Sequence, residues 1–193
     1  MPARRRRKGR DEFLSRPRFL AIKEFGPRNL GRSAGVLQEA VAGALDATGL
    51  AGDEATNPYD LGMSRRKLLA LASVLAMRTP VLVLDEPTTG QDARGVELVR
   101  SVIGAAAAEG RTVVAISHDM RFVTEAFERV VVMRAGRIIL DGSPDEAFAA
   151  SSWETLRSTY LEPPMAALVG ERLGLGSTPT DAKLVRALAP GRP

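Results

Sequence analysis

Two adjacent carboxylates, Asp85 and Glu86, end the apolar run at 81–84. The only histidine, His118, follows a second apolar run at 112–117. In open parallel sheets ligands bind beyond the carboxyl ends of the strands, so polar groups placed there meet a substrate. A carboxylate at such an end can hold Mg²⁺ directly or through water. Its neighbour can orient or polarise an attacking water, and an imidazole can read γ-phosphate oxygens. Adjacent strand residues point to opposite faces, so the two acids need not duplicate one task. The residues alone leave a plainer reading open: Asp85 and Glu86 cap the turn that Pro87 begins, and His118 is an incidental loop residue.

The elements that would position these groups are readable from periodicity. Val36, Leu37, Ala40, Val41, Ala44 and Leu45 recur at helical spacing, with Ser33 as a start and Gly49 as an end. A second helix is expected from Ser64 to just before Pro80. It is followed by a strand at 81–85, a helix at 94–108 closed by Gly110, and a strand at 112–117. Both strands are apolar on both faces, the pattern of a parallel sheet covered by helices. After a helix near 119–127, the runs at 129–133 and 137–140 flank Ala135 and Gly136 and predict a hairpin. Ser143, Pro144 and Glu146 form a capping box that opens another helix. Beyond Ser151 the prolines and glycines predict only short helical pieces.

"VLVLDEPTTGQD" followed by "VVAISHD" resembles the Walker B, D-loop and H-loop series of ATP-binding-cassette (ABC) ATPases, in that order and at the family's spacing. The resemblance implies that Asp85 serves Mg²⁺, Glu86 is the catalytic base, Asp92 is the D-loop aspartate at a dimer interface, and His118 is the switch histidine. It also implies a signature stretch, usually "LSGGQ". "LGMSR" occupies that place, with Leu61 lying 24 positions (85 − 61) before Asp85. A helix N-terminus there presents free N–H groups to the γ-phosphate of an ATP held by the opposite subunit. Leu61, Gly62, Met63, Ser64 and Arg65 are therefore expected to contact nucleotide. Gly62 replaces the serine hydroxyl, Met63 and Ser64 stand where glycines let the backbone come close, and Arg65 replaces the glutamine. A degenerate half-site is expected, with Ser64 and Arg65 able to donate to phosphate.

The family further requires a P-loop, G-x-x-x-x-G-K-[ST], whose amides and lysine bind the β- and γ-phosphates. Lys8, Lys23, Lys67 and Lys183 are the lysines present, and none follows a glycine. No Walker A lies within these 193 residues, nor a convincing Q-loop glutamine or adenine-stacking strand. The loss removes charge-assisted contacts of about 1.5–3 kcal/mol each, so this chain by itself is expected to bind ATP weakly and to be inactive. Either a separate polypeptide supplies that half or the reading frame is truncated. The fold expected is α/β: a partial P-loop NTPase fold of ABC type, with a parallel sheet core flanked by helices, part of the helical subdomain, and the P-loop strand missing. Its expected divisions are a basic, disordered tail at 1–18, a remnant of the helical and signature subdomain at 19–80, a catalytic core at 81–150, and a C-terminal extension at 151–193.

"EFGPRNLGRS" and "NPYDLGMSRRKLLALASVLAM" resemble the energy-coupling-factor branch, importers of vitamins and of cobalt or nickel ions, and especially second cassettes of fused pairs. That likeness implies ATP and Mg²⁺ as cofactors and a second ATP-binding cassette and a transmembrane coupling protein as partners. It also implies no direct contact with the transported solute, and a cytoplasmic, peripheral place on the inner face of the membrane. Alternatives are a non-catalytic remnant or regulatory dimerisation partner, and a nucleic-acid-linked ABC-type ATPase.

Composition narrows the choice. The formal net charge is +4, but Arg4, Arg5, Arg6, Arg7, Lys8 and Arg10 supply +6 of it, leaving 21 basic against 23 acidic residues elsewhere. The basicity thus belongs to a tail, and nucleic acid is not the expected partner. Without cysteine, disulfides and thiolate metal sites are excluded. No apolar segment follows the arginines as a secretory signal requires, and the longest apolar run, 68–77, is about half of a bilayer span. A soluble chain is expected, whose membrane role needs a partner.

Overall fold

The computed structural model describes residues 33–54 and 56–189. The tail expected at 1–18 lies outside them, as does the segment that begins the 19–80 division. Contacts divide the chain into two compact units, Met1–Val114 and Ala115–Pro193.

In the first unit, α1 (Ala34–Ala47) buries Leu37, Ala40, Val41, Ala44 and Leu45, one stripe at helical spacing. Ser33 takes the N-cap position with extended backbone, yet its side chain makes no capping bond. The other end closes as a Schellman motif. Gly49, at φ 64°, donates to Asp46 O at 2.9 Å, and Leu50 N donates to Leu45 O at 2.8 Å. A 3₁₀ turn (Pro58–Asp60), capped by Asn57, precedes α2 (Met63–Leu75). Then come β1 (Val81–Asp85), α3 (Ala93–Ala108) and β2 (Thr112–Ile116), whose last residues belong to the second unit. Helices α1, α2 and α3 pack on one another. Strands β1 and β2 are neighbours in a parallel two-stranded sheet. Their starts are tied by Thr112 N donating to Pro80 O at 2.9 Å and Arg111 Nε donating to Thr79 O at 2.8 Å.

The β-helix-β order and the strand limits agree with the apolar pattern, but the cover does not. Leu82 and Leu84 are buried, whereas Val81, Val83, Val114 and Ile116 are 47–63% exposed. Side chains alternate across a strand, so one face is packed while no described helix covers the other. An unbroken apolar run therefore overstates burial here: it records that both faces are apolar, not that both are filled.

The second unit holds α4 (Met120–Ala126), capped by Asp119, and the antiparallel hairpin β3 (Val130–Arg134) and β4 (Arg137–Gly142). Ala135 and Gly136 form its two-residue turn, both with positive φ (49° and 76°), as a type I′ turn needs. Ser143 and Glu146 make the expected reciprocal capping box at the start of α5 (Pro144–Ala147). A 3₁₀ turn (Ala150–Ser152) and α6 (Trp153–Arg157) follow, and Trp153 Nε1 donates to Phe148 O at 2.9 Å. Val130, Val132, Ala147, Phe148 and Leu156 form the core of this unit. The short helices α7 (Met165–Arg172) and α8 (Asp181–Leu188) complete it.

Two outcomes follow. Leu82→Ala should destabilise the chain by about 2–5 kcal/mol and Val83→Thr by no more than about 0.5 kcal/mol, measured by urea unfolding followed by circular dichroism. The Glu146 carboxyl is held below its usual range by the Ser143 N–H and then by the Ser143 hydroxyl. Its stabilising effect is therefore complete above the unfolded carboxylate pKa and lost as pH falls through the lower folded value. Ser143→Ala should move the Glu146 pKa upward, read by NMR titration of its side-chain carboxyl carbon.

Candidate functional site

The polar end of the first unit is built around a turn. β1 runs straight into Glu86, whose φ of 46° is left-handed, a conformation that costs a non-glycine residue about 1 kcal/mol. The turn lets Glu86 O accept from Thr89 N at 3.3 Å, and the Thr89 hydroxyl donates to Glu86 Oε2 at 3.2 Å. Gln91 N donates to the carbonyl of buried Thr88 at 3.0 Å. Asp92 then stands at the N-cap of α3, its Oδ1 accepting from Gly95 N at 2.7 Å. Asp85 is exposed and Glu86 half-buried, so one acid is open to solvent while the other is steered by its own loop.

The start of α2 lies against this loop. Leu61 is buried, and Arg66 donates to its carbonyl at 3.0 Å. Gly62 is the N-cap, without a side chain to occupy the free amides. Met63 is 70% exposed, and its thioether lies beside Gly90. The Ser64 hydroxyl donates to Gln91 Oε1 at 2.6 Å, and Gln91 Nε2 donates to Ser64 O at 3.3 Å. Arg65 pairs with Asp53, and Lys67 donates to Thr89 O. Ser64 and Arg65, expected as phosphate donors, thus have protein partners in this structure. Of the stretch from Leu61 to Arg65, Met63 and Ser64 contact the loop that carries Glu86 and Asp92, whereas Arg65 turns to Asp53. A groove of about 270 Å³ runs between α2 and β1, apolar along Leu68, Leu71 and Val83 and acidic at Asp85 and Glu86.

His118 lies in the second unit, exposed, in the bend after β2. The bend is shaped by Asp119, whose N–H donates to Ser117 Oγ at 3.1 Å and whose Oδ1 accepts from Phe122 N at 3.0 Å, starting α4. Gln91, Thr89 and Lys67 were not singled out by motif reading. One local signal was available: Gly95 in the first turn of a helix, where glycine is unfavourable, marks a close approach.

No group of three or more His, Asp or Glu arranged to hold a metal exists among the described residues. Mg²⁺ keeps several waters and takes one or two carboxylates plus substrate phosphates, rather than a dedicated protein cage. Exposed Asp85 fits that demand.

Comparison with known proteins bears on the same segment. No protein-family model matches the chain. An ABC transporter ATP-binding protein of Pyrococcus furiosus is 37% identical over 164 residues, covering 85% of this chain and 62% of that protein. The energy-coupling factor transporter ATP-binding protein EcfA of Methanothermobacter thermautotrophicus is 34% identical over 174 residues, covering 90% and 55%. Among solved structures, CbiO1 of Clostridium perfringens, described as part of the ABC transporter complex CbiONQ, superposes with a TM-score of 0.60 at 29% identity, over 79% of this chain and 61% of that one. A dimeric bacterial ABC transporter cassette shares the fold, with a TM-score of 0.51 at 22% identity over 58% and 49%. The chain spans 49–62% of the length of these four proteins. With its α/β order, its paired acids at the end of β1 and these relatives, the chain belongs to the ABC ATPase family, matching a part of its members' length.

Proposed function

We propose that the chain is the signature, Walker B and switch portion of an ATP-binding and ATP-hydrolysing subunit that energises a membrane importer of the energy-coupling-factor type, for a vitamin or a transition-metal ion. The observation that carries this reading is the acid pair at the end of β1, with Glu86 held by Thr89 and Asp92 capping α3, in a chain 34% identical to an EcfA protein. No helix among the described residues is long and apolar enough to cross a membrane, which accords with a subunit brought to its membrane by a transmembrane coupling protein.

In this reading Asp85 is the group that meets Mg²⁺, which when bound neutralises charge on the β- and γ-phosphate oxygens. Glu86 orients and polarises the attacking water, its carboxylate steadied by the Thr89 hydroxyl. His118 contacts the γ-phosphate. The start of α2, from Leu61 to Arg65, faces the nucleotide of a second cassette, and Asp92 stands at the surface between the two. A P-loop, absent from these residues, supplies the phosphate cradle, and the chain by itself is inactive. A second reading, a non-catalytic dimerisation partner, is favoured by two features: exposed Met63 at the helix start and Arg65 engaged with Asp53.

The two readings separate in a chimera carrying the P-loop portion of the Methanothermobacter EcfA ahead of residue 24. The first expects Mg²⁺-dependent ATP hydrolysis that Glu86→Gln lowers by at least about 100-fold in kcat. ATP binding without hydrolysis would establish the second. An unchanged rate in Glu86→Gln would remove Glu86 from the chemistry.

A further inference from the structure

The contacts between the start of α2 and the loop after β1 form a two-sided clasp. Gln91 faces a single residue, Ser64, with both ends of its amide: Oε1 accepts from the Ser64 hydroxyl at 2.6 Å and Nε2 donates to the Ser64 carbonyl at 3.3 Å. Lys67 reaches the Thr89 carbonyl one turn further along the helix, and the Met63 thioether lies on Gly90. Gly95 makes room for the clasp from the other side. A Cβ there would stand 2.2 Å from Gln91 Oε1, and its φ is not in the left-handed region, so a larger residue would strain no backbone but would displace the Gln91 amide from its place. Glycine in a helix is less favourable than alanine by about 1 kcal/mol, an expense that the clasp explains and that α3 by itself does not.

We infer that Gln91 is a positioning residue that fastens the first turn of α2 to the 86–92 loop, so that the two segments shift together and not independently. Ser64, at a place where the ABC signature carries glycine, supplies the hydroxyl that closes the clasp. The inference rests on the proposed reading only for its consequence: if both segments face the nucleotide of a second cassette, the clasp fixes the spacing between Leu61–Arg65 and Asp92. The clasp itself is made by residues of this chain alone.

Amide hydrogen exchange of the full 193-residue chain, read by NMR without ATP, tests it. Arg66 N bonds Gly62 O, and Thr89 N and Gln91 N bond Glu86 O and Thr88 O, so these amides report the two segments. Gln91→Leu and Ser64→Gly should each speed exchange at Arg66, Thr89 and Gln91 by about two- to tenfold. The double variant should be no faster than the faster single variant, and Ser64→Thr, which keeps a hydroxyl, should retain protection. Gly95→Ala gives the sharpest contrast. It favours the helix, so amides at Val99 to Ile103 should exchange no faster, while Arg66, Thr89 and Gln91 speed up as in Gln91→Leu. Additive effects of the two single variants, or Gly95→Ala leaving Arg66, Thr89 and Gln91 unchanged, would overturn the clasp. Those results leave the hydrolysis of the chimera untouched, and a chimera without hydrolysis leaves the clasp standing.

Discussion

The left-handed turn at Glu86 is the constraint on which the polar end of the first unit depends. A strand that ended in ordinary extended or helical conformation would carry the chain past the start of α2. With φ at 46°, Glu86 instead reverses it within a few residues. The carbonyl of Glu86 then receives Thr89 N, its carboxylate receives the Thr89 hydroxyl, and Gln91 arrives opposite Ser64. Asp92 falls at the cap of α3 as a result. Glycine would adopt this conformation without penalty, and Gly90 does so four residues later at φ 74°. A glutamate held there is a local cost of about 1 kcal/mol that the surrounding bonds must offset, and such costs gather where a side chain has work to do.

The packed face of β1 supplies the rigidity that the turn requires. Leu82 and Leu84 are anchored in a unit where α1, α2 and α3 contact one another, so the end of the strand is fixed relative to the start of α2. The valines on the opposite face, Val81, Val83 and Val114, contribute little to that anchoring because they remain near half-exposed. Packing and the proposed function thus share one strand: alternate residues hold it in place, and its last residue, Asp85, is exposed.

How much of this was legible in the residues depended on the range of the interaction. Several limits came through because they rest on local periodicity and caps: Val81–Asp85 matches to the residue, and Ser143 with Glu146 forms the box their spacing announces, whereas α2, expected to reach almost to Pro80, ends at Leu75. Ser33 shows the limit of such rules, since a residue of the right type took the N-cap position and made no side-chain bond. Covered and open strand faces were not distinguishable, because Val83 and Leu84 are equally apolar and only the placement of helices tells them apart. The acids and His118 could be picked out by type and order. The long-range contacts of the α2 start could not: Gln91 meets Ser64 across 27 positions, and Arg65 meets Asp53 across 12. Those pairings follow from how the start of α2 lies beside the 86–92 loop and the segment after α1, information that no local pattern contains.

The claim that Glu86 is placed for chemistry and tolerated by the fold is tested most directly by one substitution, Glu86→Gly, followed by urea unfolding. Glycine relieves the left-handed conformation while raising the entropy of the unfolded chain, two effects of similar size. If the carboxylate is not needed for folding, the variant should be as stable as the parent or up to about 1 kcal/mol more stable. A loss of more than about 1 kcal/mol would contradict the account, because it would make Glu86 a structural residue of the turn.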